Sequence, residues 1–244
     1  MIETGFRTDL MPNLIEFRAF ETRPEATAAA ANLLVSLVGD VLHQGPAAKA
    51  SLVVSGGSTP GPCFELMSAT NLNWSRVTVI HSDERWVPPD HADSNERLIR
   101  KRLLKDQAID GKILPLFRDR VEAKQAPSLI EKDLAGVAQP FSAVLLGMGE
   151  DGHFASLFPD FDGLQQALDP DNKTASTMVQ TAGSPHLRIS LTLSALLNCT
   201  HTVLLIFGEA KRGVFEAARR GGSAYPIEAL LRLTQKPLTV IWAP

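Results

Sequence analysis

Short apolar runs that end in glycine or in polar residues alternate along this chain with segments of helical period. Such runs are typical of buried strands, because glycine and polar residues mark the places where a strand stops. The clearest runs lie at residues 50–54, 76–81, 142–146 and 202–207. Strands that alternate with helices predict an α/β fold with a mainly parallel sheet and helices on both faces. We expect a single domain over residues 1–244.

The first long segment of helical period predicts a helix at residues 22–43. Thr22 and Glu25 stand at the spacing of a capping box, and alanine and leucine recur behind them at helical spacing. Asp93 and Glu96 predict a second capping box, at the start of another helix. Further strands are expected at residues 14–20, as a sheet edge, and at 176–181 and 187–193, as an antiparallel pair.

The composition excludes several classes of protein. A net charge of -3 gives no electrostatic case for nucleic acid or an anionic membrane as a partner. The two cysteines, Cys63 and Cys199, form no metal or disulfide motif and are expected as small buried hydrophobes. Glu3, Arg7 and Asp9 stand where a signal peptide needs an apolar block. No segment is expected to reach the roughly 20 apolar residues of a membrane span, so a cytoplasmic location is expected.

The segment SGGSTP at residues 55–60 follows a predicted strand and precedes a helix. Its glycines let backbone N–H groups point inward, its hydroxyls add donors, and the helix start adds the positive end of a dipole. It lacks the Gly-Lys-Ser/Thr of a nucleoside-triphosphate loop. These donors favour a phosphate-binding loop with Gly57, Ser58 and Thr59 as ligands. The alternative is an ordinary strand-to-helix turn.

The glycines at residues 147–152 match the G-x-G-x-x-G fingerprint of dinucleotide-binding proteins. That fingerprint also needs a regular helix after the third glycine and an acid about 20 residues further on, at the tip of the next strand. Here Pro159 interrupts the helix, and Asp169 and Asp171 flank a proline in a turn. The pattern instead favours close approach of the backbone to a small ligand, with amides available to a developing oxyanion.

His153 is the strongest candidate for proton transfer, because Asp151 and the glycine loop flank it closely. Imidazole is the side chain best suited to accept a proton near neutral pH, and Asp151 would fix its tautomer. The alternative is a histidine that only caps a loop. The other histidines are expected to be structural (His81, His186 and His201) or to lie in exposed turns (His43 and His91).

Charged and polar residues near other strand ends are weaker candidates when each is taken alone. The acids and the base in the run Asp83-Glu84-Arg85 would either orient a substrate or pair with each other on the surface. Asn95 has no distinguishing feature by itself. Arg188, in a late strand, and Lys211, at a helix start, are either surface charges or the rest of a phosphate clamp, since arginine supplies a fork of donors and lysine a point charge.

Four motifs, taken in this order, resemble the 6-phosphogluconolactonase family. They are the segments 55–60, 82–88 with Ser94-Asn95, and 147–159, followed by Arg188. The resemblance spans residues 15–243 and implies a modified Rossmann-like sheet, shared with the glucosamine-6-phosphate isomerase/deaminases. It implies neither a metal nor an organic cofactor. Phe154 departs from the pattern, since many members are expected to have threonine there.

The resemblance implies hydrolysis of 6-phospho-D-glucono-1,5-lactone to 6-phosphogluconate, in the pentose phosphate or Entner–Doudoroff route. A lactone is an activated ester, so a general base and oxyanion donors suffice for its hydrolysis. By this interpretation His153 deprotonates the attacking water, Asp151 orients His153, and Asp83 positions sugar hydroxyls.

The same interpretation gives the remaining residues a role in binding. The amides of Gly147 and Gly149, with Arg85, would stabilise the oxyanion. The substrate and its phosphate would be held by Gly57, Ser58, Thr59, Asn95, Arg188 and Lys211.

Two other functions remain open at this point. An aminosugar-phosphate isomerase/deaminase on the same scaffold carries a glutamate five residues after the histidine, where this chain has Phe158. A sugar-phosphate-binding module without catalysis would keep the phosphate loop and could lose His153, which this chain retains. A small sugar-phosphate lactone is the expected partner, and the oligomeric state stays open between monomer and homodimer.

Overall fold

The computed structural model describes residues 14–244, so the expectations about Glu3, Arg7 and Asp9 lie outside the described residues. Its strands are β1 (Ile15–Ala19), β2 (Ala50–Val54), β3 (Val77–His81), β4 (Asp83–Arg85), β5 (Lys112–Leu114), β6 (Ala143–Leu146), β7 (Ser176–Val179), β8 (Arg188–Leu191), β9 (Thr202–Phe207) and β10 (Leu238–Ala243). Its α-helices are α1 (Arg23–Leu42), α2 (Gly61–Ser68), α3 (Asn95–Arg102), α4 (Ala126–Leu134), α5 (Leu164–Ala167), α6 (Leu193–Leu197), α7 (Glu209–Arg220) and α8 (Ile227–Leu233).

The main sheet has seven strands in the order β1-β10-β9-β6-β2-β3-β5. Every neighbouring pair in it is parallel. Its central strands β2 and β6 are buried along their whole length, as expected for strands covered on both faces. The predicted α/β fold with a parallel sheet is confirmed, and β1 lies at the predicted sheet edge.

Helices cover both faces of this sheet, and the alternation of side chains along each strand supplies two separate cores. On one face Leu52 and Leu145 pack with α1, α2 and α3. On the other face Val53 and Val144 pack with α4, α6, α7 and α8. Phe154 is fully buried in this second core, so the position that departs from the family pattern contributes to packing.

A second, three-stranded sheet lies beside the first, in the order β4-β8-β7. The antiparallel pairing of β7 with β8 confirms the antiparallel pair predicted at residues 176–181 and 187–193. Strand β4 was not predicted, because Asp83–Arg85 is short and charged. It pairs antiparallel with β8, with Arg85 opposite Arg188. The second sheet therefore brings β8 next to the end of β3.

Helix α1 begins with the predicted capping box, since Thr22 and Glu25 bond reciprocally with each other's backbone N–H. The sequence analysis did not single out helix α1, whose 20 residues are long and apolar enough to cross a membrane by length and composition alone. It packs on the main sheet, however, and buries Ala30, Leu34 and Val38 completely, as a core helix does.

The predicted capping box at Asp93 and Glu96 is wrong by one residue. Ser94 is the N-cap of α3, and its hydroxyl accepts a hydrogen bond from the Arg97 N–H. The physical reason lies in the neighbouring strand, because the buried Glu84 carboxylate accepts the N–H groups of both Asn95 and Glu96. The Glu84 carboxylate of β4 thus accepts N–H groups at the start of α3 that the sequence analysis expected a local capping box to satisfy.

Candidate active site

A cavity of about 250 Å³ opens at the carboxyl end of the main sheet. The four strands β9, β6, β2 and β3 are neighbours there, and the segment after each of them reaches the cavity. From β2 the chain continues to β3 on one side of the pair β6-β2, whereas from β6 it leads to β9 on the other side. The cavity therefore lies at the switch point of the topology, which is where open α/β sheets bind their ligands.

The loop of residues 56–59, between β2 and α2, presents a run of backbone N–H groups to this cavity. Among residues 14–244 these groups find no hydrogen-bond partner. Gly57 has φ +90°, which L side chains rarely adopt, and a Cβ on Gly56 would come within 1.9 Å of Asn95 Oδ1. Both glycines are therefore required by the geometry. Unpaired N–H groups just before a helix start suit an anionic ligand such as a phosphate.

Asp151 and His153 form a hydrogen-bonded pair in the loop after β6. Asp151 Oδ1 lies 2.6 Å from His153 Nδ1 and also accepts the His153 backbone N–H at 3.2 Å. With Nδ1–H directed at the carboxylate, the lone pair of the imidazole is placed on Nε2. The His153 ring lines the cavity, and Asp151 stands behind it. This arrangement suits a general base held in one tautomer.

The glycines of this loop allow the acid and the histidine to lie close together. A Cβ on Gly149 would come within 2.3 Å of His153 Nδ1 and 2.4 Å of Asp151 Oδ1. Gly152 has φ +76°, and a Cβ there would collide with the Tyr225 side chain. The Gly152 carbonyl accepts the Ile227 N–H at 3.0 Å, which ties the loop to α8.

Only one of the two amides proposed as oxyanion donors is available. The Gly149 N–H donates to the His153 carbonyl at 2.9 Å and serves to close the loop. The Gly147 N–H has no hydrogen-bond partner within residues 14–244, and Gly147 lines the cavity. The expectation that the Gly149 N–H binds the oxyanion is therefore corrected, because this N–H is already bonded within its own loop. The Gly147 N–H remains the candidate oxyanion donor.

Asp83 is more constrained than the sequence suggested. Its carboxylate accepts the Ser82 hydroxyl at 2.9 Å and the Ser156 hydroxyl at 2.6 Å. Only 6% of the residue is exposed, although it lines the cavity. Asp83 also lies 3.8 Å from Arg188 Nη1, whereas Arg85 turns away from it. Asp83 therefore does not pair with Arg85, and Asp151 is the acid bonded to His153.

Arg188 reaches the cavity from the second sheet. Its Nε donates to Ser184 Oγ at 3.1 Å, and its guanidinium lies 5.2 Å from the centre of the Phe158 ring. Phe158 also packs against His153, with ring centres 4.3 Å apart. Burial lowers the pKa of Arg188, while the charge of Asp83 raises it. The Phe158 ring thus contacts both the guanidinium and the imidazole.

Two further cations line the cavity and have no acidic partner in the part of the chain that the structure describes. Arg85 donates through Nη1 to the Asp93 carbonyl at 2.7 Å, and its buried Nε finds no hydrogen-bond partner in the described part of the chain. Neither Arg85 nor Lys211 forms an ion pair within residues 14–244. Cations that no carboxylate neutralises favour an anionic ligand in the cavity.

Sequence reasoning named Glu84 only as part of a charged run and missed its structural role, which is to organise one wall of the site. Its fully buried carboxylate accepts the N–H groups of Asn95 and Glu96, both at 2.8 Å, and the Ser94 hydroxyl at 3.1 Å. His81 Nδ1 lies 3.3 Å away and is also fully buried. Burial raises the pKa of Glu84, but His81 and the N–H groups of α3 outweigh burial and hold the pKa below its usual value. No local pattern in the sequence marks an acid whose carboxylate accepts hydrogen bonds from the start of a helix ten or more residues away.

All the predicted site residues except Asp151 line this one cavity, and Asp151 bonds to one that does. The lining residues predicted from the sequence are Gly57, Ser58, Thr59, Asp83, Arg85, Asn95, Gly147, Gly149, His153, Arg188 and Lys211.

No helix follows Gly152 directly, and the next one begins at Leu164. The rejection of the dinucleotide fingerprint therefore agrees with the observed backbone.

The combination of a phosphate-type loop, a His–Asp pair and this topology corresponds to a known family. The family profile described as "Glucosamine-6-phosphate isomerases/6-phosphogluconolactonase" matches residues 21–242. The chain belongs to this family. Members from Rhizobium meliloti and Pseudomonas aeruginosa, both named 6-phosphogluconolactonase, are 39% and 36% identical to it. Each alignment covers 90% of this chain, with 97% and 91% of the respective relative.

Solved structures of the family agree with this assignment. A 6-phosphogluconolactonase from Shewanella baltica has a TM-score of 0.89 and 35% identity, over 94% of this chain and 98% of the other. A monomeric glucosamine-6-phosphate deaminase has a TM-score of 0.74 at 18% identity, over 93% of this chain and 97% of the other. At that identity the second likeness concerns the fold alone. Both branches of the family thus share this architecture.

Proposed function

We propose that this protein hydrolyses 6-phospho-D-glucono-1,5-lactone to 6-phosphogluconate. The observation that carries the proposal is the position of His153. Its ring is bonded to Asp151 through Nδ1 and faces the same cavity as the unpaired N–H groups of residues 56–59. One cavity therefore combines a general base with a phosphate cradle. The relatives named 6-phosphogluconolactonase support the same substrate.

The reaction needs one proton acceptor and one oxyanion donor. His153 Nε2 takes a proton from water as the water oxygen attacks the C1 carbonyl. The Gly147 N–H and Arg85 stabilise the negative charge that develops on the carbonyl oxygen. When the tetrahedral intermediate collapses, the bond from C1 to the ring oxygen breaks, and His153 returns its proton to that oxygen. Asp151 keeps the imidazole in the required tautomer throughout.

Substrate recognition is assigned to the cationic side of the cavity. The loop N–H groups of residues 56–59, with Lys211 and Arg188, hold the phosphate at the end of the sugar that does not react. Binding energy from that remote group positions C1 against His153. Asp83 is held by Ser82 and Ser156, so it contributes mainly by fixing Arg188 and by accepting sugar hydroxyls with its remaining lone pairs.

Lys211→Ala is expected to raise KM about tenfold while kcat stays within about twofold of the wild type. The lysine contacts a group that does not react, so its loss removes binding that the ground state and transition state share. Initial rates against lactone concentration measure both parameters. Lys49→Ala is the matched control, because Lys49 is exposed just before β2, at the opposite end of the sheet. An unchanged KM in Lys211→Ala would remove this lysine from the phosphate site.

The competing aminosugar-phosphate isomerase/deaminase function lacks a residue that it needs. The position five residues after His153 holds Phe158, whose ring packs against both His153 and Arg188. A phenyl ring cannot supply the acid for ring opening. The purified protein is therefore expected to consume the lactone and to release no ammonia from glucosamine 6-phosphate. Ammonia release with an inert lactone would favour the competing function instead.

We place the reaction in the pentose phosphate pathway, where oxidation of glucose 6-phosphate supplies such a lactone. A cytoplasmic location fits this substrate, since sugar phosphates are intracellular intermediates that cross membranes poorly.

A further inference from the structure

A cluster of two imidazoles and one carboxylate lies beside the active-site cavity and has no part in the proposed reaction. It consists of His91, Asp93 and His186, and we call it the rim cluster. His186 Nε2 is 3.0 Å from Asp93 Oδ2, and His91 Nδ1 is 3.8 Å from the same oxygen. The potential ligand atoms all lie within 4.8 Å of one another.

We propose that the rim cluster binds a divalent transition-metal ion, with Zn²⁺ as the representative ligand. Two histidines and one carboxylate are a donor set that Zn²⁺ takes, with a water in the fourth position. Bonds of about 2.0–2.1 Å in tetrahedral geometry separate neighbouring ligand atoms by roughly 3.3–3.4 Å. The observed separations lie on both sides of that value, so small rotations of exposed side chains complete the site.

The hydrogen bonds of the cluster already direct its donor atoms toward one another. His91 Nδ1 accepts the Asp93 backbone N–H at 3.1 Å, so this nitrogen carries a lone pair. On the other side, His186 Nε2 lies 3.0 Å from Asp93 Oδ2, so both imidazoles converge on this residue. Metal binding exchanges these hydrogen bonds for coordination bonds. The nearby Arg85 charge opposes any cation, which selects ions with strong affinity for imidazole over Mg²⁺ or Ca²⁺.

The cluster joins two loops that hold the arginines of the active site. The loop between β4 and α3 carries Asp93, whose carbonyl accepts Arg85 Nη1 at 2.7 Å. The loop between β7 and β8 carries His186, and its Ser184 accepts Arg188 Nε at 3.1 Å. A metal bound to the rim cluster would therefore fix both loops relative to each other, and with them both arginines. This inference does not depend on the proposed lactone hydrolysis.

Calorimetric titration of the full chain with ZnCl₂ tests the proposal. One site is expected at the rim cluster, and His91→Ala and His186→Ala should each weaken it by at least about tenfold, since even outer partners of a metal site are worth ten- to hundredfold. The His91 side chain is exposed and the His186 side chain is only partly buried, so the variants should fold. His43→Ala, another exposed histidine, is the matched control and should bind like the wild type. MgCl₂ should give no binding.

A second variant separates the rim cluster from the catalytic pair, which could also attract a metal. His153→Ala is expected to keep the Zn²⁺ site, whereas the double variant His91→Ala/His186→Ala should lose it together with the rise in Tm that Zn²⁺ gives the wild type. The proposal is overturned if Zn²⁺ affinity is unchanged in the His91 and His186 variants. Loss of the site in His153→Ala alone would likewise place the metal in the cavity instead.

Discussion

Replacement of His153 by alanine is expected to lower kcat for the lactone by about 10²-fold or more, the scale of a lost general base. The imidazole is the only titratable ring lining the cavity among the described residues. Its Nε2 is free because Nδ1 bonds Asp151 at 2.6 Å. KM should change little, because the phosphate cradle at residues 56–59 remains intact. Steady-state rates with freshly made lactone, corrected for spontaneous hydrolysis, give both parameters.

Two further variants serve as a control and as a test of the histidine's partner. His43→Ala, at the exposed end of α1, should leave kcat unchanged. Asp151→Asn should lower kcat by about tenfold or more, because an amide holds the imidazole tautomer less well than a carboxylate. Near-normal turnover in His153→Ala would remove this histidine from the role of base, whatever the effect of Asp151→Asn.

Glu84→Gln is expected to lower the free energy of unfolding by about 3 kcal/mol, the scale of losing hydrogen bonds to a buried charged group and leaving buried donors unpaired. The carboxylate receives two N–H groups of α3 and the Ser94 hydroxyl, and His81 lies beside it. A glutamine has one acceptor fewer and would direct an NH₂ group at these donors. Urea denaturation followed by circular dichroism measures the difference.

The same carboxylate predicts how stability depends on pH. Because the pKa of Glu84 is lower in the folded chain, its contribution is complete above the unfolded value of 4.5 and is lost as the pH falls through the folded value. The difference between wild type and Glu84→Gln should therefore shrink below about pH 4. Glu65→Gln is the control, since Glu65 is half exposed in a surface pair with Arg102 and should change stability little. Equal unfolding midpoints for Glu84→Gln and the wild type would contradict the assigned role.

The sequence predicted the site well where the information was local. Each of the loops at residues 55–60 and 147–153 follows an apolar run, and parallel strands bring such ends to one edge of the sheet. Lys211 was also found in this way, at the helix start that follows β9. The sequence does not give the distances between these residues, but a parallel sheet places the ends of its strands next to one another.

Long-range contacts account for what the sequence left undetermined. The sequence could not decide between Asp83 and Asp151 as the partner of His153. In the structure the Ser156 hydroxyl, from a loop far along the chain, donates a hydrogen bond to Asp83 Oδ2. The structural role of Glu84 was overlooked because its partners are the backbone N–H groups of another element. The Gly149 N–H was assigned to the oxyanion because its hydrogen bond to the His153 carbonyl is visible only in three dimensions.

The proposed activity is tested by the rate at which freshly prepared 6-phospho-D-glucono-1,5-lactone disappears in buffer that contains a metal chelator. We expect a rate well above spontaneous hydrolysis, proportional to the concentration of protein and reduced close to the spontaneous rate in His153→Ala. A rate that equals spontaneous hydrolysis with the wild-type protein would contradict both the proposed substrate and the role of the Asp151–His153 pair.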